Sequence, residues 1–472
     1  MTEKKQSTVF AFIIITVLFF LWGGITSMSD VVKPLYEDLY DLTKFEGSLI
    51  FLAFFGAYGI GSLLYYLYSQ AKGDLINKLG YKKGILFGLL ISGIGCISLY
   101  PITYLDNYYI SILSFFVIGI GFTLLQISCN PYVAILGSEK SAGSRLNLAQ
   151  GFNSLGTTVA PLIAGFLVIQ YTIKDAAIQD IYLTAGILFF VFAVFLNFIK
   201  LPDYQSTEHV NLKGSAFQFS TLKAGMLAIF FYVGAEVMIG GELKSYLQLP
   251  EIGNLSDSEA GSYLGIYWGG AMIGRLGISV ISSQKFNLIK KVLFGFLTIA
   301  ITYLVIVLLV AIKTKVLDPQ LAFNLNNIST GFQETFFEIY PILGFILLQF
   351  IVMLVFRESS RKLLALFASF IIAALLLAFI FEGQIALWSI LSIGLFNSIM
   401  WSNIFTLSIA GLKEYTSQGS SLLIIMIVGG AILPLGMGLL ADISNAKIGL
   451  LFPIISYLYI LYFGLYGSRT KH

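Results

Sequence analysis

Two carboxylates stand within long apolar segments of this 472-residue chain. Asp30 ends an apolar segment that begins near residue 9, and Glu236 lies well inside another. An ionised side chain at the centre of a membrane helix costs about 2.5–3.5 kcal/mol on insertion scales, so it is retained where it faces a cavity. Asp30 and Glu236 are therefore candidates for functional groups that bind and release a proton. The alternatives are an Asp30 that is merely solvated at the interface and a Glu236 that is neutral and only donates a hydrogen bond.

Amide and aromatic side chains recur at helical spacing on other apolar segments. Three pairs lie three or four residues apart and therefore share a helix face: Gln126 with Asn130, Gln150 with Asn153, and Asn397 with Trp401. Amides both donate and accept hydrogen bonds, as sugar hydroxyls do, and an aromatic face can stack on the apolar face of a pyranose. The pattern is compatible with a site for a neutral ligand that carries several hydroxyl groups, such as a sugar, with Trp268 as a further aromatic contact. Hydrogen bonding between helices is the alternative for the amides, above all for Asn130, and packing is the alternative for each Trp.

The composition excludes most other classes of protein. The chain is 57% hydrophobic and 11% charged, with a mean hydropathy of +0.87, whereas soluble proteins contain about 25% charged residues. A net charge of +3 is too small to suggest a nucleic-acid partner. The only histidines are His209 and His472, Cys96 and Cys129 lie in apolar runs, and no ATP-binding loop motif occurs. We expect no metal, no cofactor and no enzymatic activity.

Fourteen segments are long and apolar enough to span a bilayer. They lie near residues 9–29, 47–70, 84–101, 108–136, 147–171, 181–199, 222–246, 261–283, 290–312, 339–356, 363–381, 384–410, 419–441 and 448–467. With the N-terminus inside, the inner segments hold 21 of the 28 Lys and Arg residues and the outer segments hold 7. This bias predicts a multi-pass membrane protein whose N- and C-termini both face the cytoplasm.

An internal repeat divides the chain. The pattern G-x4-P-L-x-x-G occurs from Gly156 through Pro161 and again from Gly429 through Pro434, an offset of 273 residues. The same offset relates two further pairs: Gly121 with Gly394, and Asn130 with Asn403. Near the start of each half, Phe19-Phe20-x-x-Gly23 matches Phe230-Phe231-x-x-Gly234 at an offset of 211. We predict two equivalent halves, in which Pro161 and Pro434 are bending points.

The two offsets differ by 62 residues, the difference between 273 and 211, which is the length of two spans and a loop. The segments 339–356 and 363–381, preceded by the polar stretch 313–338, are the candidates for an insertion. The predicted fold is all-α, with a six-helix half at 1–200, a cytoplasmic linker at 201–221, and a second half at 222–472 that contains an inserted helix pair at about 313–383. Two such halves place the substrate at their interface near the bilayer midplane.

Several segments together resemble a known family. They are Asn147-Leu-Ala-Gln150-x-Phe-Asn153-Ser-Leu-Gly156, Tyr232-Val-Gly-Ala-Glu236, Tyr267-Trp268-Gly-Gly-Ala-Met-Ile-Gly274-Arg275, Gly394-Leu-Phe-Asn397-Ser-Ile and Thr416-Ser-Gln-Gly419-Ser-Ser. The combination resembles the fucose/glucose/galactose–proton symporters of the major facilitator superfamily. The resemblance implies the major facilitator fold, sugar uptake across a bacterial inner membrane, and the proton as coupling ion. It also implies a proton-linked Asp30, sugar binding by Gln150 and Asn153, and sugar contact by Trp401.

The chain departs from the family pattern at functionally relevant positions. Asn77, followed by Lys78, stands in the loop Gly73–Lys82 where a gating carboxylate is usual. Gln126 replaces a glutamate of the fucose porters, and Glu236 replaces a glutamine. Ser27 replaces a sugar-binding asparagine, so a hexose such as glucose, mannose or galactose is favoured over fucose.

The sequence therefore predicts proton-coupled monosaccharide uptake by a monomer that works by alternating access, with Arg275 grouped among the gating residues. The alternatives are a fucose or N-acetylhexosamine porter, an exporter of hydrophobic compounds with the same fold, and a sensor that binds sugar without transporting it.

Overall fold

The computed structural model describes residues 2–42, 44–102, 107–138, 141–170, 174–202, 215–315, 325–443 and 446–469, and every α-helix within these ranges is numbered below in chain order. The helices are α1 (Thr2–Leu39), α2 (Lys44–Lys72), α3 (Leu75–Leu79), α4 (Tyr81–Ile102), α5 (Tyr108–Ile135), α6 (Ala142–Gln170), α7 (Lys174–Phe198), α8 (Ser220–Leu247), α9 (Asp257–Ile281), α10 (Leu288–Lys315), α11 (Leu325–Glu338), α12 (Ile342–Phe356), α13 (Ser360–Ile380), α14 (Gly383–Asn397), α15 (Met400–Ile409), α16 (Thr416–Ile425), α17 (Gly429–Ile443), α18 (Ala446–Gly449) and α19 (Phe452–Tyr462). A π-helical turn, Phe463–Gly467, follows α19. The all-α prediction agrees with this architecture.

Twelve spans in the described part of the chain are long and apolar enough to cross a membrane. The count rises to thirteen if the pair Ile328–Glu338 and Ile342–Phe356, bent by 68°, forms one span. The remaining predicted span, 147–171, lies in α6 and is not among those twelve. Large apolar side chains such as Phe198 and Ile289 are exposed on the outside of the bundle, as contact with lipid requires. The protein is a multi-pass membrane protein.

The helices before and after the linker pack in the same pattern. Helix α1 packs on α6 as α8 packs on α17, and α2 packs on α5 as α9 packs on α14. Helix α4 lies against α5 and α7, and α13 lies against α14 and α19. We refer to α1–α7 as the first half and to α8–α19 as the second half.

Glycines of the repeat mark matching close contacts in the two halves. A Cβ placed on Gly156 would lie 2.1 Å from the carbonyl oxygen of Phe20, and one on Gly429 would lie 2.1 Å from that of Phe230. At both crossings the backbones approach more closely than any other residue would allow. Gly156 and Gly429 therefore occupy equivalent places. Their contacts pair Phe20 with Phe230, one residue away from the predicted match of Phe20 with Phe231.

The predicted match of Gly121 with Gly394 does not agree with the contacts that these two glycines make. A Cβ on Gly394 would meet the carbonyl oxygen of Tyr267 on α9, whereas one on Gly121 would meet α4, at Ser92. The equivalent contact in the first half belongs to Gly119, whose Cβ would lie 2.5 Å from the carbonyl oxygen of Phe54 on α2. Glycines are frequent in membrane helices, so the match of Gly121 with Gly394 in the sequence is a coincidence. The structural equivalent of Gly394 is Gly119, two residues before Gly121.

Helix packing favours α10–α12, rather than the predicted 313–383, as the unit without a counterpart. Helix α10 packs on α9 and α11 and touches α6, and α12 lies among α9, α13 and α14. In contrast, α13, which covers the predicted extra span 363–381, has the neighbours expected for the equivalent of α4. The extra chain therefore lies between Ile281 and Ser360, where the first half has only the segment from Lys72 to Tyr81. Hydropathy cannot distinguish which of several successive apolar helices is the inserted one. We call α10–α12 the inserted unit.

Candidate functional site

A buried ion pair lies in the second half. An Nη2 atom of Arg275 on α9 is 3.6 Å from Oε1 of Glu236 on α8, and the side chains are 9% and 15% exposed. The hydroxyl of Tyr232, one turn earlier on α8, donates to the same Oε1 at 2.7 Å. A charge buried within a membrane bundle requires such partners, because desolvation without compensation is costly.

Arg275 also connects elements that belong to different halves. Its Nε donates to the carbonyl oxygen of Ser398 at 3.0 Å, and its Nη1 donates to Oγ of Ser154 on α6 at 2.5 Å. The planar guanidinium therefore binds a carboxylate, a carbonyl and a hydroxyl at once, which its fixed fork of five donors permits. Arg275 was predicted to be a gating residue, and its pairing with Glu236 was not predicted from the sequence.

The carbonyl of Ser398 is free to accept because the helix is interrupted there. Helix α14 ends at Asn397 and α15 begins at Met400. The side chain of Gln349, from α12 of the inserted unit, donates from Nε2 to the carbonyl oxygen of Leu395 at 2.5 Å and to Oγ of Ser398 at 3.2 Å. Carbonyl groups at a helix end lack their normal partners, so side chains that reach them stabilise the break.

Asn397 lies at the end of α14 in a buried polar network. Its Nδ2 donates to the hydroxyl oxygen of Tyr267 at 3.3 Å, and its Oδ1 accepts from the hydroxyl of Tyr457 at 2.8 Å. Both polar atoms of the Asn397 side chain therefore have a partner within the protein. Trp401, one turn later, is 7% exposed and stacks on Phe405 at a centroid distance of 6.1 Å. Its buried Nε1 has no hydrogen-bond partner among the described residues.

The amides of the first half are also buried. Nδ2 of Asn130 donates to Oε1 of Gln126 at 2.7 Å, so these two predicted sugar-binding residues bind each other. Nδ2 of Asn153 donates to the carbonyl oxygen of Phe19 on α1 at 2.9 Å. Gln150 is 6% exposed and lies one turn before Ser154, so both share the face of α6 that reaches Arg275.

Two other predicted sugar contacts occupy packed positions. The Oγ of Ser27 donates to the carbonyl oxygen of Gly24 in its own helix at 2.9 Å. The indole of Trp268 lies beside Gly240, whose added Cβ would be 3.0 Å from it. Gly240 is one turn beyond Glu236 on α8, so Trp268 is near the ion pair.

The predicted proton-coupling residue Asp30 and the predicted gating residues are only partly described. The side chains of Asp30, Asn77 and Pro161 lie outside the described part of the structure, as do residues 203–214 of the linker. Lys78 lies in α3, is exposed, and donates to the carbonyl oxygen of Lys72. Pro434 lies inside α17.

Hydrogen bonds join the halves near the end of the bundle where α2 ends and the linker starts, which we call the linker end. Nε2 of Gln70 donates to Oε1 of Gln418 at 3.1 Å. The hydroxyl oxygens of Tyr66 and Ser215 are 2.6 Å apart. On the other side of the interface, Oγ of Ser144 on α6 donates to the carbonyl oxygen of Ser279 on α9 at 2.6 Å. These contacts join the first half to the linker and to the second half at the linker end.

Sequence reasoning missed several residues around the ion pair. Ser154, Tyr457 and Ser398 are small or common residues that carry no sequence signal. Gln349 does carry one, because it is the only polar residue in the run Ile342–Phe356. A lone amide in an apolar membrane helix needs a polar partner on a neighbouring helix, and this rule could have identified it.

A polytopic bundle of two similarly packed helical halves, with an ion pair and amides enclosed between them, defines a membrane protein with an internal polar site. A family model described as Major Facilitator Superfamily matches residues 7–318. The chain belongs to the major facilitator superfamily, in the family of the fucose, glucose and galactose porters.

Its similarity to known proteins extends over nearly the whole chain. A glucose/galactose transporter of Brucella abortus is 35% identical over 99% of this chain and 97% of its own length. A putative glucose/galactose transporter of Helicobacter pylori is 31% identical over 99% of both chains. The L-fucose-proton symporter of Escherichia coli is 26% identical over 99% of this chain and 95% of its own length. The crystal structure of the transporter FucP in the outward conformation superimposes with a TM-score of 0.70 at 25% identity, covering 98% of this chain and 100% of that one.

Proposed function

We propose that the protein takes up a neutral monosaccharide together with a proton, by alternating access between its two halves. The relatives named glucose/galactose transporter and L-fucose-proton symporter support sugar as the substrate and the proton as the coupling ion. The observation that carries the proposal is the ion pair of Glu236 and Arg275, which is buried and is hydrogen-bonded to the opposite half through Ser154.

The ion pair offers a physical route to coupling. Protonation of Glu236 removes its negative charge and leaves the guanidinium of Arg275 buried with one partner fewer, which is costly. A hydroxyl of a bound sugar can replace the lost acceptor, because each sugar hydroxyl both donates and accepts hydrogen bonds. Proton and sugar then each favour the binding of the other, as reciprocal linkage requires. Sugar affinity should therefore rise as pH falls.

The closed linker end supports an outward-facing conformation. The contacts of Gln70 with Gln418 and of Ser144 with Ser279 seal this end, and the positive-inside bias assigns it to the cytoplasm. The overall similarity to FucP in its outward conformation points the same way. Rocking of the halves must break these contacts to release sugar and proton inside.

The remaining features of the proposal follow from the sequence. We propose fourteen spans, namely the twelve identified, α6, and the bent unit that contains α12. We also propose a bacterial inner-membrane location with both termini cytoplasmic, a monomer that needs no cofactor or metal, and no enzymatic activity. Asp30 serves as a second proton-linked carboxylate. Gln150 and Asn153 are the foremost sugar-binding residues, and Trp268 and Trp401 are the aromatic contacts.

The test compares Glu236→Gln with the wild type in proteoliposomes. Glutamine imitates the protonated acid, so the variant should bind sugar independently of pH and retain counterflow exchange. A pH gradient should drive the wild type to accumulate sugar, and the variant should lose this accumulation. Glu382→Gln is the matched control, because this carboxylate is 68% exposed. Unchanged, pH-driven accumulation by Glu236→Gln would overturn the role of Glu236.

The identity of the sugar needs a separate measurement. Thermal shifts of the purified protein with glucose, galactose, mannose, fucose and N-acetylglucosamine should rank the hexoses first. The largest shift with fucose would favour a fucose porter, as the 26% identical symporter suggests. Shifts without any flux in proteoliposomes would favour a sensor, and resistance to hydrophobic compounds without any sugar response would favour an exporter.

A further inference from the structure

We propose that Gln349 of the inserted unit is a positioning residue for the Glu236–Arg275 pair. It acts by holding the break between α14 and α15, and this inference rests on the proposed function. The inserted unit then stabilises the helix break and adjusts the proton-binding chemistry of the second half. It does not only pack at the periphery of that half.

The placement of Gln349 is specific. Helix α12 is otherwise apolar from Ile342 to Phe356, and Gln349 is completely buried. Its Nε2 reaches two acceptors on α14 and at the break, the carbonyl oxygen of Leu395 at 2.5 Å and Oγ of Ser398 at 3.2 Å. If Gln349 only filled space, an apolar side chain of similar volume could replace it without the loss of any hydrogen bond. Because its Nε2 binds two acceptors, such a replacement removes two hydrogen bonds.

Gln349 and Arg275 hold the same two-residue break from different helices. Arg275 binds the carbonyl oxygen of Ser398 from α9, while Gln349 binds the hydroxyl of the same residue from α12. Gly274 allows this arrangement, because a Cβ there would lie 2.0 Å from Oγ of Ser398 and 2.6 Å from Nε2 of Gln349. The three helices are therefore packed to the backbone at this point.

Displacement of the break would change what Arg275 can reach. If the carbonyl of Ser398 turned away, Arg275 would lose one of its fixed acceptors, and its guanidinium would reorient relative to Glu236. Asn397 directly precedes the break and binds Tyr267 and Tyr457, so its network would shift as well.

The charged and titratable groups that act on Glu236 come from three helices. Arg275 and Tyr267 face it from α9, Tyr457 faces it from α19, and Tyr232 binds it from within α8. Gln349 is not ionisable and does not touch Glu236. Any effect of Gln349 on the pH profile must therefore pass through the break and Arg275.

The experiment measures uptake by Gln349→Met, which keeps the volume and removes both hydrogen bonds. Initial rates are recorded in proteoliposomes from pH 5 to pH 8 and normalised to folded protein. The maximal rate should fall about fivefold or more, since the carbonyl oxygen of Leu395 loses its side-chain donor and keeps only the bond from the N–H of Ser398. The pH of half-maximal uptake should shift, while the KM for sugar should change less than about twofold. Met353→Leu, on the same helix and equally buried, is the control and should retain the wild-type profile.

A double-mutant cycle separates positioning from general destabilisation. In counterflow, Gln349→Met should slow exchange in the wild-type background and have little further effect in Glu236→Gln, because the pair on which it acts is already broken. Ser398→Ala removes only the 3.2 Å contact, so it should shift the pH profile in the same direction by less. It also serves as the second variant if Gln349→Met does not fold.

The outcomes distinguish this inference from the proposed function. An unshifted pH profile in both Gln349→Met and Ser398→Ala, or equal slowing of counterflow in both backgrounds, would overturn the positioning role. A wild-type protein that shows no pH-driven uptake would refute the proposed function at the first step, before any variant is compared.

Discussion

The two halves share a backbone arrangement but differ in the chemistry that it carries. Counted from the matching contacts at Phe20 and Phe230, the place of Glu236 corresponds to Thr26 in the first half. Counted from the contacts at Phe54 and Tyr267, the place of Arg275 corresponds to Ser62. The first half thus has two neutral hydroxyl residues where the second half has an ion pair.

This difference suggests a division of labour. The repeat preserves close helix crossings, which require glycine and tolerate little change, while the polar side chains between the crossings diverge. The second half holds charge, and its own Asn397 is fully engaged with two tyrosines. The first half offers neutral amides, of which Gln150 lies on the α6 face that reaches Arg275. We therefore expect changes at the Glu236–Arg275 pair to abolish proton coupling, and changes at the α6 amides to weaken sugar binding. Asp30 is a second proposed proton-linked group, in the first half.

The largest effect is expected from Arg275→Leu. Removing the guanidinium leaves Glu236 buried without its counter-charge, which costs about 3–5 kcal/mol, so uptake at neutral pH should fall more than about 100-fold. Arg275→Lys should recover part of the rate, since it keeps the charge but cannot bind three acceptors in a plane. Initial sugar uptake in proteoliposomes measures both.

The double variant Glu236→Gln/Arg275→Leu tests the reason for that loss. It has no unpaired buried charge, so its counterflow should exceed that of Arg275→Leu alone, although neither should accumulate sugar. Equal counterflow in the single and double variants would show that Arg275 acts independently of the ion pair.

A smaller and symmetrical effect is expected at the glycine crossings. Gly156→Ala and Gly429→Ala would each place a methyl group 2.1 Å from a carbonyl oxygen, so each should lower the free energy of unfolding by about 1–3 kcal/mol. Thermal unfolding in detergent measures the loss. Gly56→Ala is the control, because its Cβ would meet nothing within 4 Å and alanine favours the helix. A large loss in only one of the two crossing variants would contradict their structural equivalence.

Much of the fold was predictable because hydropathy and repeats report on the backbone. The spans predicted from the sequence overlap the observed helices, and the landmarks Gly156 and Gly429 make matching contacts. The position of the inserted unit was less accessible, since a length difference of 62 residues locates an insertion only between two landmarks. Only the neighbours of α13 identify it as the equivalent of α4.

The sequence predicts which types of residue form the site, but not which of them bind each other. An intramembrane Glu236 and several amides were evident from the sequence, because polar groups are rare in such helices. Their partners depend on helix rotation and on the break at Ser398, and no local pattern encodes either. Thus Asn397 was predicted to bind sugar, which stays a prediction, whereas its bonds to two tyrosines were not predicted. The hydroxyl oxygen of Tyr267 accepts the hydrogen bond from Nδ2 of Asn397.

The smallest effect, and the one that most sharpens the comparison, is expected from Gln150→Ala. Gln150 lies on the face of α6 that carries Ser154, and the loss of one hydrogen bond to a neutral sugar weakens binding by about 1 kcal/mol. The KM should therefore rise roughly five- to tenfold, while the pH of half-maximal uptake stays at the wild-type value.

Asn147→Ala on the same helix is the matched amide control for Gln150→Ala. Nδ2 of Asn147 donates to the carbonyl oxygen of Gly143 within α6 at 2.9 Å, so its loss should leave the KM unchanged. Uptake measured against sugar concentration at several pH values decides the result. A shifted pH profile with a normal KM in Gln150→Ala would mean that Gln150 itself takes part in proton coupling, and the division between the ion pair and the α6 amides would not hold. A raised KM with an unshifted profile would assign sugar recognition to α6 and proton coupling to the other groups, Glu236, Arg275 and Asp30.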